Sequence, residues 1–292
     1  MSEKKKQLKI GVVGLGLIGG SIAKAYKRAG AEVYAYNRTK STLDFALLDG
    51  AADGRLTDET LAECDAVFLC LTIGASVSWL EKHADAISED ALVVDCCGIK
   101  RRICEAGFAA AKEHGFTFVG GHPMAGKQYG GYKNSTETLF DGATMVVVPE
   151  KRDSITLIER LKDLFKQAGF GRLSFMTADQ HDGMIAFISQ MTHIAANAFV
   201  KNEQNHPAGF TPGGSFRDFT RVAYLDETLW TDLIMENRDF LLAELNDYIG
   251  ELGKYRDAIE AGDEEALKEL FKAGTKSKQK ADRKDPVLTM EL

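Results

Sequence analysis

Short apolar runs alternate with longer amphipathic stretches through the first half of the chain. Lys9 to Val13 and Glu32 to Tyr36 are brief and rich in β-branched or aromatic residues, and the stretch between them, up to Ala29, has helical spacing. Further strands are predicted at Ala66 to Leu71, Leu92 to Asp95, Thr117 to Val119, Met145 to Val148 and Arg172 to Phe175. Amphipathic helices such as Ser154 to Gln167 fall between most of them. That order predicts an α/β fold with a doubly wound parallel sheet and crossover helices. After Phe175 the strand signal ends. Thr177-Ala-Asp-Gln180 predicts a capping box opening a long helix towards Val200. Leu229, Leu233, Phe240, Leu241, Leu245, Tyr248 and Leu252 then recur at helical spacing. The pattern therefore predicts two domains, 1–172 around the sheet and 173–292 all helical. One irregular loop, His206 to Ser215, interrupts the second; its length suggests function.

Composition narrows the class without changing this picture. The 292 residues are 45% hydrophobic and 27% charged with five prolines, the profile of a packed globular protein. A net charge of −7 offers no bulk attraction to phosphate backbones, so no nucleic acid is expected as partner. Two basic runs, Lys4 to Lys6 and Lys276 to Lys284, read as solvated tails. Five cysteines without a C-x-x-C pattern indicate neither a disulfide framework nor zinc, and no metal site is expected. No apolar run was expected to approach the ~18 residues of a membrane span, and no cleavable signal opens the chain, so a cytoplasmic protein is expected.

Gly14-Leu15-Gly16-Leu17-Ile18-Gly19 closes the first strand and opens the first helix. In that context G-x-G-x-x-G is a dinucleotide fingerprint. Gly14 makes the tight turn, Gly16 lets backbone approach a pyrophosphate, and Gly19 lets helix and strand pack closely. At the end of the second strand an NAD site usually carries an acid for the ribose hydroxyl; here stand Asn37, Arg38 and Thr39. They point to a 2′-phosphate, NADP rather than NAD. The reading in which Arg38 stacks on adenine and Asn37 bonds the hydroxyl of NAD stays open. Leu71, the last residue of the next long strand, Thr72 after it, and Gly98 complete the expected NAD(P) contacts.

His122 follows a strand between Gly120-Gly121 and Pro123, where a loop histidine can face a cleft and act as a base near neutral pH. Gln190, His193 and Asn197 share one polar helix face, which is either a site or a buried network. Arg217 and Arg221, four apart, could grip carboxylates, or pair with Asp218 or Asp226 on the surface.

Taken together, the Gly14 fingerprint, Asp95-Cys-Cys-Gly-Ile-Lys100, Gly120-Gly-His-Pro-Met-Ala-Gly126, Ser189-Gln-Met-Thr-His193 and Gly213 to Ala223 resemble the prephenate dehydrogenase family in sequence and order. The resemblance implies a Rossmann-type domain followed by a helical dimerisation domain that makes a homodimer, with the site between them. It also implies oxidative decarboxylation of prephenate to 4-hydroxyphenylpyruvate in tyrosine biosynthesis. By the same resemblance His122 is the base, His193 a substrate contact, and Arg221, supported by Arg217, the carboxylate clamp. Two departures stand out. Many members carry a serine where this chain has Gly98, so another group must orient His122. Many carry an acid where this chain has Gln128, a substrate-side position at which a neutral amide favours the keto acid over the amino acid arogenate. Alternatives are an arogenate dehydrogenase, a β-hydroxyacid dehydrogenase or imine reductase, and a non-catalytic dimeric dinucleotide sensor.

Overall fold

A computed structural model describes residues 7–127, 129–151, 154–201, 211–283 and 289–292. The Lys4 to Lys6 run, Gln128, the first half of the His206 to Ser215 loop and Lys284 lie outside the described residues. The chain forms two compact units, one running up to His181 and including the C-terminal strand, the other beginning at Asp182. The expected boundary at 172/173 therefore falls inside a strand.

The first unit is a nine-stranded sheet with strands β1 (Lys9–Val13), β2 (Glu32–Tyr36), β3 (Gly54–Arg55), β4 (Ala66–Leu69), β5 (Leu92–Asp95), β6 (Thr117–Pro123), β7 (Thr144–Pro149), β8 (Arg172–Phe175) and β9 (Thr289–Glu291). Their order is β3-β2-β1-β4-β5-β6-β7-β8-β9. The reversal at β1 is the doubly wound arrangement, which opens a crevice at the carboxyl ends of the strands. Helices α1 (Leu17–Arg28), α2 (Lys40–Leu48), α3 (Asp58–Leu61), α4 (Ile73–His83), α5 (Arg101–His114) and α6 (Ile155–Gln167) connect the strands. Both sheet faces are covered, so β1, β4 and β5 are nearly continuous buried apolar runs, with Ile10, Val12, Val67, Phe68 and Val94 at most 1% exposed.

Three details depart from expectation. The sheet is mixed, because β7 runs antiparallel to β6 and β9 antiparallel to β8. The last strand, three residues long, carries no helical or alternating signal of its own and returns from the second half of the chain. And β6 extends through Pro123, so His122 is a strand residue paired with Val146 rather than a loop residue. The Gly120-Gly121 pair that suggested a loop is there for close approach. A Cβ on Gly120 would lie 2.5 Å from Cys104 Sγ, and one on Gly121 2.4 Å from the Asp95 carbonyl oxygen.

The second unit is helical. The Thr177 capping box is formed, with Gln180 N donating to Thr177 Oγ1 at 3.1 Å and Thr177 N to Gln180 Oε1 at 3.0 Å. It opens α7 (Ala178–Ile185), which continues through a π-helical turn, Ala186–Met191, into α8 (Thr192–Val200). Then follow α9 (Gly214–Thr220), α10 (Glu227–Met235), α11 (Arg238–Ala261) and α12 (Glu264–Arg283). Ala178–Val200 is 23 residues long with mean hydropathy 1.2, enough by length and composition to cross a bilayer, contrary to the expectation from sequence. His181, Asp182 and Gln190, all 2% exposed or less, lie on it, and such groups are costly to expose to lipid. The buried cluster of this unit is small, Ala186, Met191 and Leu241, while Leu229, Leu242, Tyr248, Ile249 and Leu252 remain exposed.

Candidate active site

The fingerprint loop behaves as its glycines require. Gly14 has φ +96°, in the left-handed region, and a Cβ there would lie 2.6 Å from the Cys70 carbonyl oxygen. A Cβ on Gly19 would overlap the Gly14 carbonyl oxygen at 1.8 Å, whereas one on Gly16 would meet nothing within 4 Å. Gly16 is also the N-cap of α1, with no capping side chain and no acid in the first turn. An open glycine at an uncapped, acid-free helix start is a surface that fits a pyrophosphate. Leu15 is buried behind it, and Leu17 and Ile18 are half-buried.

At the end of β2, Asn37 braces this loop. Its Oδ1 accepts the Leu15 N–H at 2.9 Å and its Nδ2 donates to the Thr39 carbonyl at 3.1 Å. Most of the Asn37 amide is therefore spent on shape, and the exposed side chains of Arg38 and Thr39 are what remains for a ribose or its phosphate. Thr72 is the N-cap of α4, exposed and without a capping bond, next to half-buried Leu71. Gly98 is half-buried between β5 and α5.

His122 stands at the same carboxyl edge of the sheet. Pairing between β5 and β6 stops at Val94 opposite Val119, and two buried side chains take over beyond it. Asp95 Oδ1 accepts the Gly121 N–H at 3.1 Å, and Lys100 Nζ donates to the Gly121 carbonyl at 2.6 Å and to Asp95 Oδ2. Asp95 Oδ2 also accepts the Cys97 N–H at 2.9 Å. Both Asp95 and Lys100 are fully buried. This ion pair clamps the peptide groups of the residue before His122. Burial pulls the Lys100 ammonium down, but Asp95, with the neighbouring Cys97 and Cys104 thiols, more than offsets it, so its pKa lies above the usual lysine value.

The half-buried His122 ring meets a second imidazole. Its Nδ1 lies 2.8 Å from His181 Nε2, with the ring centroids 5.1 Å apart and the planes inclined by 62°. Burial, and then the electrostatic influence of the adjoining His181 ring and of the Lys100 ammonium, hold the His122 pKa well below the usual imidazole value. His122 is thus neutral at neutral pH and able to accept a proton. Reasoning from sequence missed His181, and gave Asp95 and Lys100 no role. The available signal was a His-Asp pair in the first turn of the helix after the last predicted strand.

In the helical unit the expected polar face divides. Gln190 donates to the Leu233 carbonyl at 2.9 Å and accepts from Asn237 at 2.8 Å, and Asn197 donates to the Ala223 carbonyl at 3.0 Å. Those two are structural. His193 keeps a half-buried ring packed against Trp230, with centroids 4.2 Å apart and planes inclined by 37°, and its Nδ1 is directed to the Ser189 carbonyl at 2.8 Å, which leaves Nε2 for a ligand. Arg217 lies on α9 and Arg221 is its C-cap. Both are exposed, and among the described residues neither guanidinium pairs with Asp218, Asp226 or another carboxylate. Two unpaired forks a turn apart are suited to a dicarboxylate.

Comparison with known proteins completes the assignment. Residues 22–172 match the nucleotide-binding domain of prephenate dehydrogenase, and residues 177–273 match its dimerization domain. The chain belongs to the prephenate dehydrogenase family. Its members are NAD-dependent oxidoreductases. A prephenate dehydrogenase of Bacillus subtilis is 29% identical over 274 residues, covering 89% of this chain and 72% of the relative. The Aquifex aeolicus prephenate dehydrogenase in complex with hydroxyphenyl propionate and NAD+ is similar in structure, with TM-score 0.81, 25% identity and coverage of 95% and 99%. An arogenate dehydrogenase of Synechocystis superposes with TM-score 0.78 at 28% identity, covering 94% and 100%.

Proposed function

We propose that this protein oxidises and decarboxylates prephenate to 4-hydroxyphenylpyruvate, in tyrosine biosynthesis in the cytoplasm. The observation that carries the reading is His122, a neutral imidazole held by a buried ion pair at the same sheet edge as the dinucleotide loop. Gly14 to Gly19, Arg38, Thr39 and Thr72 would hold the dinucleotide, which would supply a nicotinamide ring as the hydride acceptor. His122 Nε2 accepts the proton of the ring hydroxyl as the carbon beneath it gives up that hydride. The ring carboxylate then leaves as carbon dioxide, its bonding pair completes the aromatic ring, and the proton returns to the phenol oxygen. Arg221 and Arg217 hold the substrate's carboxylates, and His193 Nε2 bonds a further polar group.

Gln128 carries no charge to pair with an ammonium, which supports prephenate over arogenate as substrate. The absence of an acid at the end of β2, together with exposed Arg38, supports NADP+ being used at least as well as NAD+. The exposed apolar residues of α10 and α11 need covering, which supports a homodimer through the helical unit; light scattering that finds a monomer at micromolar concentration would contradict this. The base is tested by His122→Asn, which should lower kcat by roughly 10²- to 10⁴-fold with little change in KM. Near wild-type turnover at neutral pH would remove His122 from the role.

A further inference from the structure

We propose that His181 is the positioning residue that sets the tautomer and orientation of His122, the task for which this chain has no hydroxyl at Gly98. The inference rests on His122 being the base. An imidazole serves as a base at Nε2 only when its single proton sits on Nδ1. In this protein Nδ1 faces His181 Nε2 at 2.8 Å, so one proton lies between the two rings and its owner decides whether His122 can act. With the proton on His122, His181 Nε2 is the acceptor and His122 Nε2 is bare towards the substrate. With the proton on His181, His122 carries hydrogen on Nε2 and cannot accept another without becoming a cation beside a partner that donates into it.

The surroundings favour the first arrangement during turnover. When His122 takes the substrate proton, its Nδ1–H becomes a charged donor, and a neutral His181 lone pair receives a stronger bond than before. His181 is also placed to hold direction as well as charge. It is fully buried, its backbone N–H donates to the Thr177 carbonyl at 3.0 Å, and it sits in the first turn of α7 behind the closed Thr177/Gln180 capping box. From the other side Asp95 and Lys100 fix the Gly121 peptide. Backbone and ring are therefore held by separate groups, as a positioned base requires.

The test is ¹⁵N NMR of the histidine ring nitrogens in the ligand-free full-length protein at neutral pH, with His122→Asn assigning the His122 signals. The wild type should show His122 protonated at Nδ1 and bare at Nε2. His181→Leu should move a large part of His122 to the Nε2-protonated form and lower kcat by about 10- to 100-fold with KM changed less than about 3-fold. His181→Gln, whose amide oxygen can accept at the position of Nε2, should restore the Nδ1 tautomer and most of kcat. If the leucine variant does not fold, the wild-type tautomer and the glutamine variant decide alone. An Nε2-protonated His122 in the wild type, an unchanged tautomer and kcat in folded His181→Leu, or a folded His181→Gln that is inactive, overturns the proposal. A wild type that shows the Nδ1 tautomer yet leaves prephenate untouched would instead overturn the functional reading and leave the imidazole pair standing.

Discussion

Replacing Lys100 with methionine should damage stability and catalysis in separable ways. The side chain is fully buried and donates to Asp95 and to the Gly121 carbonyl, while Asp95 accepts the Gly121 and Cys97 N–H groups. Methionine fills similar volume, so the cost is electrostatic: a fully buried carboxylate loses its counter-charge, and removing one partner of such a pair costs about 3 to 5 kcal/mol. At about 2 to 4 °C per kcal/mol for a unit of this size, the melting midpoint should fall by roughly 6 to 20 °C. Adding Asp95→Asn removes the stranded charge and should recover part of that loss. The catalytic effect has its own sign. The Lys100 ammonium opposes protonation of His122, so in the wild type the base form survives below the usual imidazole range. Without it His122 takes a proton at higher pH, and the acid limb of the kcat/KM profile should move upward. Thermal unfolding by circular dichroism and pH profiles of both variants measure the two effects. A midpoint lowered by less than about 2 °C, equivalent to under about 1 kcal/mol, would refute the buried-pair argument. A limb that stays or moves downward would refute the electrostatic one.

Arg221→Ala should raise KM for prephenate by roughly 10- to 100-fold with kcat changed less, because a lost charge-assisted carboxylate contact costs about 1.5 to 3 kcal/mol. Lysine should rescue it only in part, and an unchanged KM would make Arg221 structural. For the cofactor, Arg38→Ala should lower kcat/KM for NADP+ by about tenfold or more and that for NAD+ by less than about threefold. A wild-type preference for NAD+ above about tenfold, equal to ~1.4 kcal/mol, would overturn the NADP reading.

The sequence carried the first unit well because its signals are local. β1, β2, β5 and β8 lie where short apolar runs predicted, and Ser154 and Thr177 cap the helices they were expected to open. β9 was illegible, since three residues of strand gain their meaning only from pairing with Arg172 to Ser174 far away in sequence. Gly120 and Gly121 misled for a related reason. Glycine reads as a turn, and the need for it here comes from Cys104 and Asp95 pressing on the strand from elsewhere. The site divides in the same way. The glycine fingerprint and His122 announce themselves through motif and context, whereas His181 and the Asp95/Lys100 clamp depend on which residues meet across strands and helices. The face of Gln190, His193 and Asn197 was ambiguous in sequence and is mixed in structure, two members bracing the fold and one left with a free ring nitrogen.

The most direct test of the account is the stoichiometry of the reaction itself. Purified protein is mixed with prephenate and NAD+ or NADP+, reduced nicotinamide is followed by absorbance, released carbon dioxide is trapped, and the aromatic product is identified by mass spectrometry. The account predicts equal amounts of reduced cofactor, carbon dioxide and 4-hydroxyphenylpyruvate. Reduction without carbon dioxide release, or reduction with arogenate or a β-hydroxy acid but not with prephenate, would contradict it.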